Sequence, residues 1–287
     1  MKSCQQVIFP LAAALLLFSC KKDDPTAVDP KLIVRFAFDP NQERLNNIGE
    51  PEGVPNGHAA QTPDFNSISA HYLEMNATKW QQIGEGEVLY TGPETTAGGA
   101  QAINFQQAKV VSAGQDFFTI PLKDVAAGDY DWMRVSLSYQ NYDIDYLSSF
   151  GQLSGTIASF IGYNNYITEY TVNEESIVVN GNRLQGYWGF ETVGVTVDGQ
   201  APEGATTVPN PIFDTSPIPA GSCLVTGQFA STLTITGNET EDIIITLSLS
   251  NNNSFEWVDL TEDGLFEPEA GETVVDMGIR GLIPKVN

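Results

Sequence analysis

The residues whose types and spacing best suit ligand chemistry lie near the C-terminus, in Asp259-Leu260-Thr261-Glu262-Asp263-Gly264-Leu265-Phe266-Glu267, with Glu272 and Asp276 following. Oxygen donors at alternate positions ahead of a glycine can wrap a hard cation, because glycine permits the sharp turn while carboxylates and carbonyls converge on Ca²⁺. The spacing departs from the EF-hand: Thr261 stands where a second acid is expected, and the twelfth position counted from Asp259 is Ala270 rather than a bidentate glutamate. A calcium loop between two strands is the chemical expectation, with Asp259, Thr261, Asp263 and Asp276 as ligands. An acidic, solvated hairpin turn is the plain alternative.

Aromatic side chains form the second feature. Positions 139 to 190 hold 11 of the 29 aromatics. Tyr142, Tyr146, Tyr163 and Tyr166, interleaved with Asn141, Asp143, Asp145, Asn164 and Asn165, suit a sugar- or peptide-binding face, since each ring offers an apolar plate with a polar tip. Core packing is the competing expectation. With two histidines and no HExxH, GxSxG, P-loop or Cys-x-x-Cys pattern, hydrolase, kinase and zinc-enzyme templates have nothing to attach to. His58 lies in a Pro/Gly segment and reads as solvated. His71 stands beside Tyr72 on a predicted strand, where a hydrogen-bonded structural histidine competes with a metal ligand. Cys223 reads as a small apolar residue. These features point to binding, not catalysis.

The elements that must position them read as strands. Lys31 to Phe38 alternates with a period of two, as do Ile68 to Met75, Phe117 to Leu122, Tyr130 to Tyr139, Arg183 to Val193, Gln228 to Thr236, Ile243 to Leu249 and Phe255 to Val258. Helix signals are sparse beyond a turn at Asn104 to Ala108. Such a series, separated by Gly, Pro, Asn and Asp clusters, predicts an all-β chain: an antiparallel β-sandwich, immunoglobulin-like or jelly-roll-like, with long loops. Pro40 to Pro63 and the Pro-rich Asp198 to Ser222 are the expected loops, and residues 31–287 are expected to form a single domain.

Composition supports folding and narrows the partners. Across 287 residues, 41% are hydrophobic and 10% aromatic, enough for a real core. Lys+Arg of 13 against Asp+Glu of 36 leaves a net charge of −23, which repels phosphate backbones and argues against nucleic acid as a partner. Lys2 ahead of an apolar run from Val7 to Phe18 is the layout of an export signal, too short to span a bilayer. Leu17-Phe18-Ser19-Cys20 resembles the lipobox of bacterial lipoproteins, in which the signal (here 1–19) is removed and the cysteine acylated. That resemblance implies Cys20 as the lipid attachment and residues 20–30 as an acylated tether. Lys21-Lys22-Asp23-Asp24 resembles the lysine-and-acid tag that sends Bacteroidota lipoproteins to the outer face of the outer membrane. The expected setting is therefore the cell surface, with the membrane as one partner through lipid and an extracellular or outer-membrane ligand as another.

The order of the strands also resembles the MbnP-like family of exported, copper-associated β proteins. The opening strand Leu32 to Phe38, Ser67-Ile68-Ser69-Ala70-His71-Tyr72-Leu73-Glu74, the segment Ile120 to Tyr130 and Gln185-Gly186-Tyr187-Trp188-Gly189-Phe190-Glu191 carry it. The resemblance implies copper handling through histidine and tryptophan, here His71 and Trp188, brought to one site. A further alternative is an accessory or structural subunit of an outer-membrane complex.

Overall fold

The computed structural model describes residues 29–201 and 222–287. The export signal, Cys20 with most of the tether, and positions 202–221 of the Pro-rich loop lie outside the described residues. Among the described residues the β-branched and aromatic runs pair as eighteen strands. The first nine are β1 (Lys31–Asp39), β2 (His58–Gln61), β3 (Asp64–Asn76), β4 (Glu87–Thr91), β5 (Glu94–Thr95), β6 (Ala102–Asn104), β7 (Asp116–Pro121), β8 (Gly128–Ser148) and β9 (Gly151–Phe160). The others are β10 (Asn164–Thr171), β11 (Ser176–Leu184), β12 (Tyr187–Thr192), β13 (Val195–Gln200), β14 (Cys223–Ile235), β15 (Ile243–Ser250), β16 (Phe255–Val258), β17 (Val274–Met277) and β18 (Leu282–Val286). Helical structure is confined, among these residues, to 3-10 turns such as Phe105–Gln107.

The result is an all-β sandwich, as the strand pattern predicts. β8 is its spine: 21 residues, roughly 70 Å of extended chain at about 3.3 Å per residue. One edge of β8 pairs with β3, while the other pairs first with β14 and then with β9. The seven-stranded sheet so formed runs β13-β12-β9-β8-β3-β4, with β14 also on β8. Three smaller sheets complete the fold, ordered β18-β15-β1-β7, β17-β16-β2 and β11-β10-β6-β5. Pairing is not wholly antiparallel. β1 runs parallel to β15 from Leu32↔Ile243 to Asp39↔Ser250, and both strands open with unbroken apolar runs, as strands buried on two faces do.

Slips in alternation along β3 and β8 decide which side chains face which layer. Ile68 and Ala70 share a core with Leu73 and Met75, so the inward positions of β3 change from even to odd. A register shift between Ala70 and Tyr72 accounts for the change. β8 slips where Ser69 pairs with Tyr139 and Ala70 with Leu137, leaving Ser138 unopposed. Inward positions then pass from Met133, Val135 and Leu137 to Tyr142, Ile144 and Tyr146. This inner face packs against β1 and β15 and then against Phe255 and Trp257 of β16. Tyr139 turns to the outer face and packs with Phe160, Tyr170 and Tyr187.

Several sequence expectations change here. The run Arg183 to Val193 is not one strand: Gly186, at φ +85°, turns the chain between β11 and β12. Tyr130 to Tyr139 is only part of β8. Asp198 to Gln200 belong to β13 rather than to the Pro-rich loop, and the loop Pro40 to Pro63 contains β2.

On the outer face of the first half of β8 sits an ion pair with no exposed side-chain surface, Arg134 Nη1 to Glu74 Oε2 at 2.8 Å. It pins the segment between β3 and β4. Arg134 Nη2 donates to the carbonyls of Lys79 and Gln81, and Glu74 Oε1 accepts from the amides of Gly84 and Gly86. A side chain at position 86 would meet the Met75 carbonyl at 2.4 Å, so glycine is required there. Replacing Arg134 by Met strands a buried carboxylate and is expected to cost about 3–5 kcal/mol. The check is the urea midpoint; a loss below about 0.5 kcal/mol would show that the pair does not hold the segment.

Candidate functional site

The slip in β3 has a chemical consequence, because strict alternation would place His71 with Leu73 and Met75 in the core. Instead His71 and Tyr72 both line a cavity of about 630 Å³ on the outer face. The remaining walls come from separate elements: Val88 and Thr91 of β4, Glu94 of β5, Gln101 before β6, Tyr163 and Asn164 at the β9–β10 turn, and Leu184 at the end of β11. Leu184 and Val88 are 66% and 42% exposed and form an apolar rim. Small-molecule sites combine apolar surface with a few convergent polar groups, and this open cavity has both.

Glu94 organises the polar groups. Its Oε1 lies 2.9 Å from His71 Nε2 and accepts from the Tyr163 hydroxyl at 3.0 Å, while Gln101 Nε2 donates to Oε2. The Tyr163 ring lies 5.7 Å from the His71 ring, edge to face. Burial pushes the His71 pKa below its ordinary value against the opposing pull of Glu94, so the imidazole is neutral at neutral pH. Burial first, and then the hydrogen bond to Glu94, raises the Tyr163 phenol. Neutral His71 donates its Nε2 proton to the carboxylate, the arrangement an anionic acceptor requires. Three buried polar atoms of lining residues have no protein partner: His71 Nδ1, Tyr72 Oη and Asn164 Oδ1.

The other sequence-derived residues fall elsewhere. Tyr142 is fully buried against Phe65 and Phe255, and Tyr146 is buried with its hydroxyl 3.0 Å from Thr192 Oγ1. Tyr142 and Tyr146 are core residues, not part of a binding face, because the slip at Ser138 turns even positions of β8 inward. Tyr166, half-buried in β10, is not among the cavity residues, so only Tyr163 of the four tyrosines reaches the site. Trp188 lies across Gly199 of β13. Its strand is three inter-strand spacings from β3, roughly 14 Å along the sheet. His71 and Trp188 are not brought together.

The acidic loop is closed on itself. Asp259 accepts from the amides of Glu262 and Gly264, Asp263 from Leu265, and Glu272 from Leu260 and Glu267. Thr261 points its hydroxyl at Asp259 and Glu272. Asp276 belongs to a different cluster: it pairs with Arg280 at 2.6 Å and lies opposite Glu256 across the β16–β17 ladder. Among the described residues, no three His, Cys, Asp or Glu side chains are placed to hold a metal ion together. The proposed calcium set Asp259, Thr261, Asp263 and Asp276 therefore does not converge. The carboxylates are spent on backbone amides and on arginine.

His58 is not solvated but sits in β2, its Nδ1 2.7 Å from Glu256 Oε1. Glu256 also accepts from Arg44 and Arg280. Burial alone would raise Glu256, yet His58, Arg44 and Arg280 hold it below the usual carboxylate range. Burial pushes the Cys223 thiol up to about 12, far from nucleophilic use. A larger depression of about 820 Å³ is lined by acids including Asp143, Asp145 and Glu191. Each already accepts from the protein: Asp143 from Thr156, Asp145 from Ser154, and Glu191 from the amides of residues 173 to 175.

The chain matches no family model, no curated protein and no solved structure. The site is thus defined by its own geometry. Glu94, Gln101, Thr91 and Leu184 carried no signal in the sequence; Glu94 is one of 36 acids, and the pairing of β4 with β3, continued by the Gly92 amide donating to the His71 carbonyl, brings it to His71.

Asp276 gives a test of the buried charge cluster. Burial raises its carboxyl to about 6 from 3.8 despite Arg280, so its stabilising contribution is complete below pH 3.8 and is lost as pH rises through 6. His71 acts with opposite sign, since a lowered pKa favours the fold above 6.5, and an Asp276→Asn variant keeps that contribution. The stability of the wild type relative to Asp276→Asn is expected to fall by up to about 3 kcal/mol between about pH 4 and pH 7. Urea unfolding of both proteins across that range reads it; parallel curves would exclude the effect.

Proposed function

We propose that the chain is a lipid-anchored, surface-exposed protein of the outer membrane that binds a small ligand in the His71–Glu94–Tyr163 cavity and performs no chemistry on it. The observation that carries the reading is the convergence of His71, Glu94, Gln101 and Tyr163, from four separate segments, on one open cavity with an apolar rim. Binding is favoured over catalysis because the groups there are committed to one another. Glu94 accepts three protein hydrogen bonds, His71 is neutral and buried, and burial holds the Tyr163 phenol protonated. Anchoring rests on Leu17-Phe18-Ser19-Cys20, where two or more acyl chains at about 0.8 kcal/mol per buried methylene would hold the chain on a membrane.

Two measurements test this reading. Cys20→Ala is expected to move the protein from the membrane fraction to the soluble fraction of lysed cells; an unchanged distribution would remove the anchor. Thermal melts of the full chain with neutral sugars, amino acids, polyamines and divalent metal salts are expected to show one class raising Tm by about 5 °C or more near saturation. Tyr163→Ala should abolish that rise. No response in the wild type to any class would overturn the site.

A further inference from the structure

The cavity carries one charge that the protein does not balance. Glu94 is the only acid lining it, no lysine or arginine is among the described lining residues, and the one basic residue, His71, is kept neutral by burial. Elsewhere the chain treats its enclosed acids differently. Glu74 faces Arg134, and Glu256 faces Arg44 and Arg280, while Glu191 and Glu272 accept from backbone amides. Among the described residues Glu94 has neither kind of partner. His71, Gln101 and Tyr163 satisfy its hydrogen bonding but bring no positive charge.

That carboxylate can still accept. A carboxylate offers about four lone-pair sites, and here Oε1 takes two protein donors and Oε2 takes one. The side chain keeps 27% of its surface exposed, so a ligand donor can be added without displacing a protein partner. A charged donor gains most. Hydrogen bonds between two ionised groups are roughly twice as strong as neutral ones, and the net charge of −23 concentrates cations around the chain while repelling anions. The walls select further. Val88 and Leu184 are exposed and Tyr163 is half-buried, surface that an organic body would cover and that a hydrated metal ion would leave wet. The Tyr163 ring also favours a cation over an anion.

We infer that the cavity binds an organic ammonium ion, whose N–H donates to the Glu94 carboxylate while its apolar body covers Tyr163, Val88 and Leu184. The inference rests on the binding reading above and adds the charge and class of the ligand.

The test is isothermal titration of the full chain, held in an uncharged, sugar-free detergent, with three probes of one shape: 2-phenylethylamine, 2-phenylethanol and phenylacetate. Cellobiose and ZnCl₂ are run in parallel. The amine is expected to bind at least about tenfold more tightly than the alcohol, and phenylacetate more weakly than either. That comparison needs only the wild type. Glu94→Gln, which keeps the side-chain volume and a hydrogen-bond acceptor, should weaken the amine about tenfold and leave the alcohol nearly unchanged. Leu184→Ser, at a largely exposed position, should weaken both about threefold. If amine and alcohol bind alike and both respond to Leu184→Ser, the charge assignment is wrong while the site stands. The same holds if cellobiose or ZnCl₂ binds in a Glu94-dependent way and the amine does not. Amine binding that Glu94→Gln leaves unchanged would also overturn the inference. Silence from every probe would remove the site along with the ligand class.

Discussion

A strand shows alternate side chains to opposite faces, so a long strand with strict alternation commits every second residue to one layer. β8 departs from that rule at Ser138, and β3 at Asn66 and again beside His71, and the arrangement of the layers depends on those departures. With the slip at Ser138, the first half of β8 turns Met133, Val135 and Leu137 to the same face that Tyr142, Ile144 and Tyr146 occupy in the second half. The slip beside His71 does the same for β3. One continuous inner face results, covered by β1 and β15 at one end and by β16 at the other. The opposite face is left to polar and aromatic residues, which is why it carries both the buried ion pair and the cavity.

The excess of acids is handled by placing the few cations where they neutralise buried carboxylates. Arg134 serves Glu74 on the outer face, while Arg44 and Arg280 serve Glu256, with Asp276 beside them, where β2, β16 and β17 meet. A lone buried carboxylate would be far more costly than any of these pairs. Other acids accept backbone amides instead, as Glu191 does from residues 173 to 175 and Asp259 from residues 262 and 264. The acidic loop near the C-terminus is stabilised by its own peptide groups.

What the sequence made legible follows from the same physics. Period-two runs of β-branched residues marked β1, β15 and β16 nearly to the residue, because each obeys alternation or is buried on both sides. The aromatic cluster was visible, but its distribution was not: Tyr142 and Tyr146 face inward and Tyr163 outward only because of a single unopposed residue in β8 and a turn after β9. Composition carries no mark of such a slip. His58 and Glu256 are 198 residues apart in the chain, and His71 and Glu94 meet only once β4 pairs with β3 and the Gly92 amide closes on the His71 carbonyl. A lone acid in a chain of 36 cannot be distinguished until the layers are assembled.

The cavity occupies the place where covering elements give out. Over the first half of β8 the outer face is closed by the segment between β3 and β4, tied down by Arg134 and Glu74. Over the second half it is closed by the β11-β10-β6-β5 sheet packing on Tyr139 and Phe160. His71 and Tyr72 fall between them, at the slip. Glu94, from the edge strand β5, reaches back across the gap to satisfy His71, but among the described residues no apolar layer follows it. The gap is bounded by one cover fixed through buried charge and another fixed through aromatic packing, so closing it by sliding either cover would break one of those two interactions. A ligand that supplies the missing layer therefore meets walls that are already rigid, and its binding carries little cost of rearranging them.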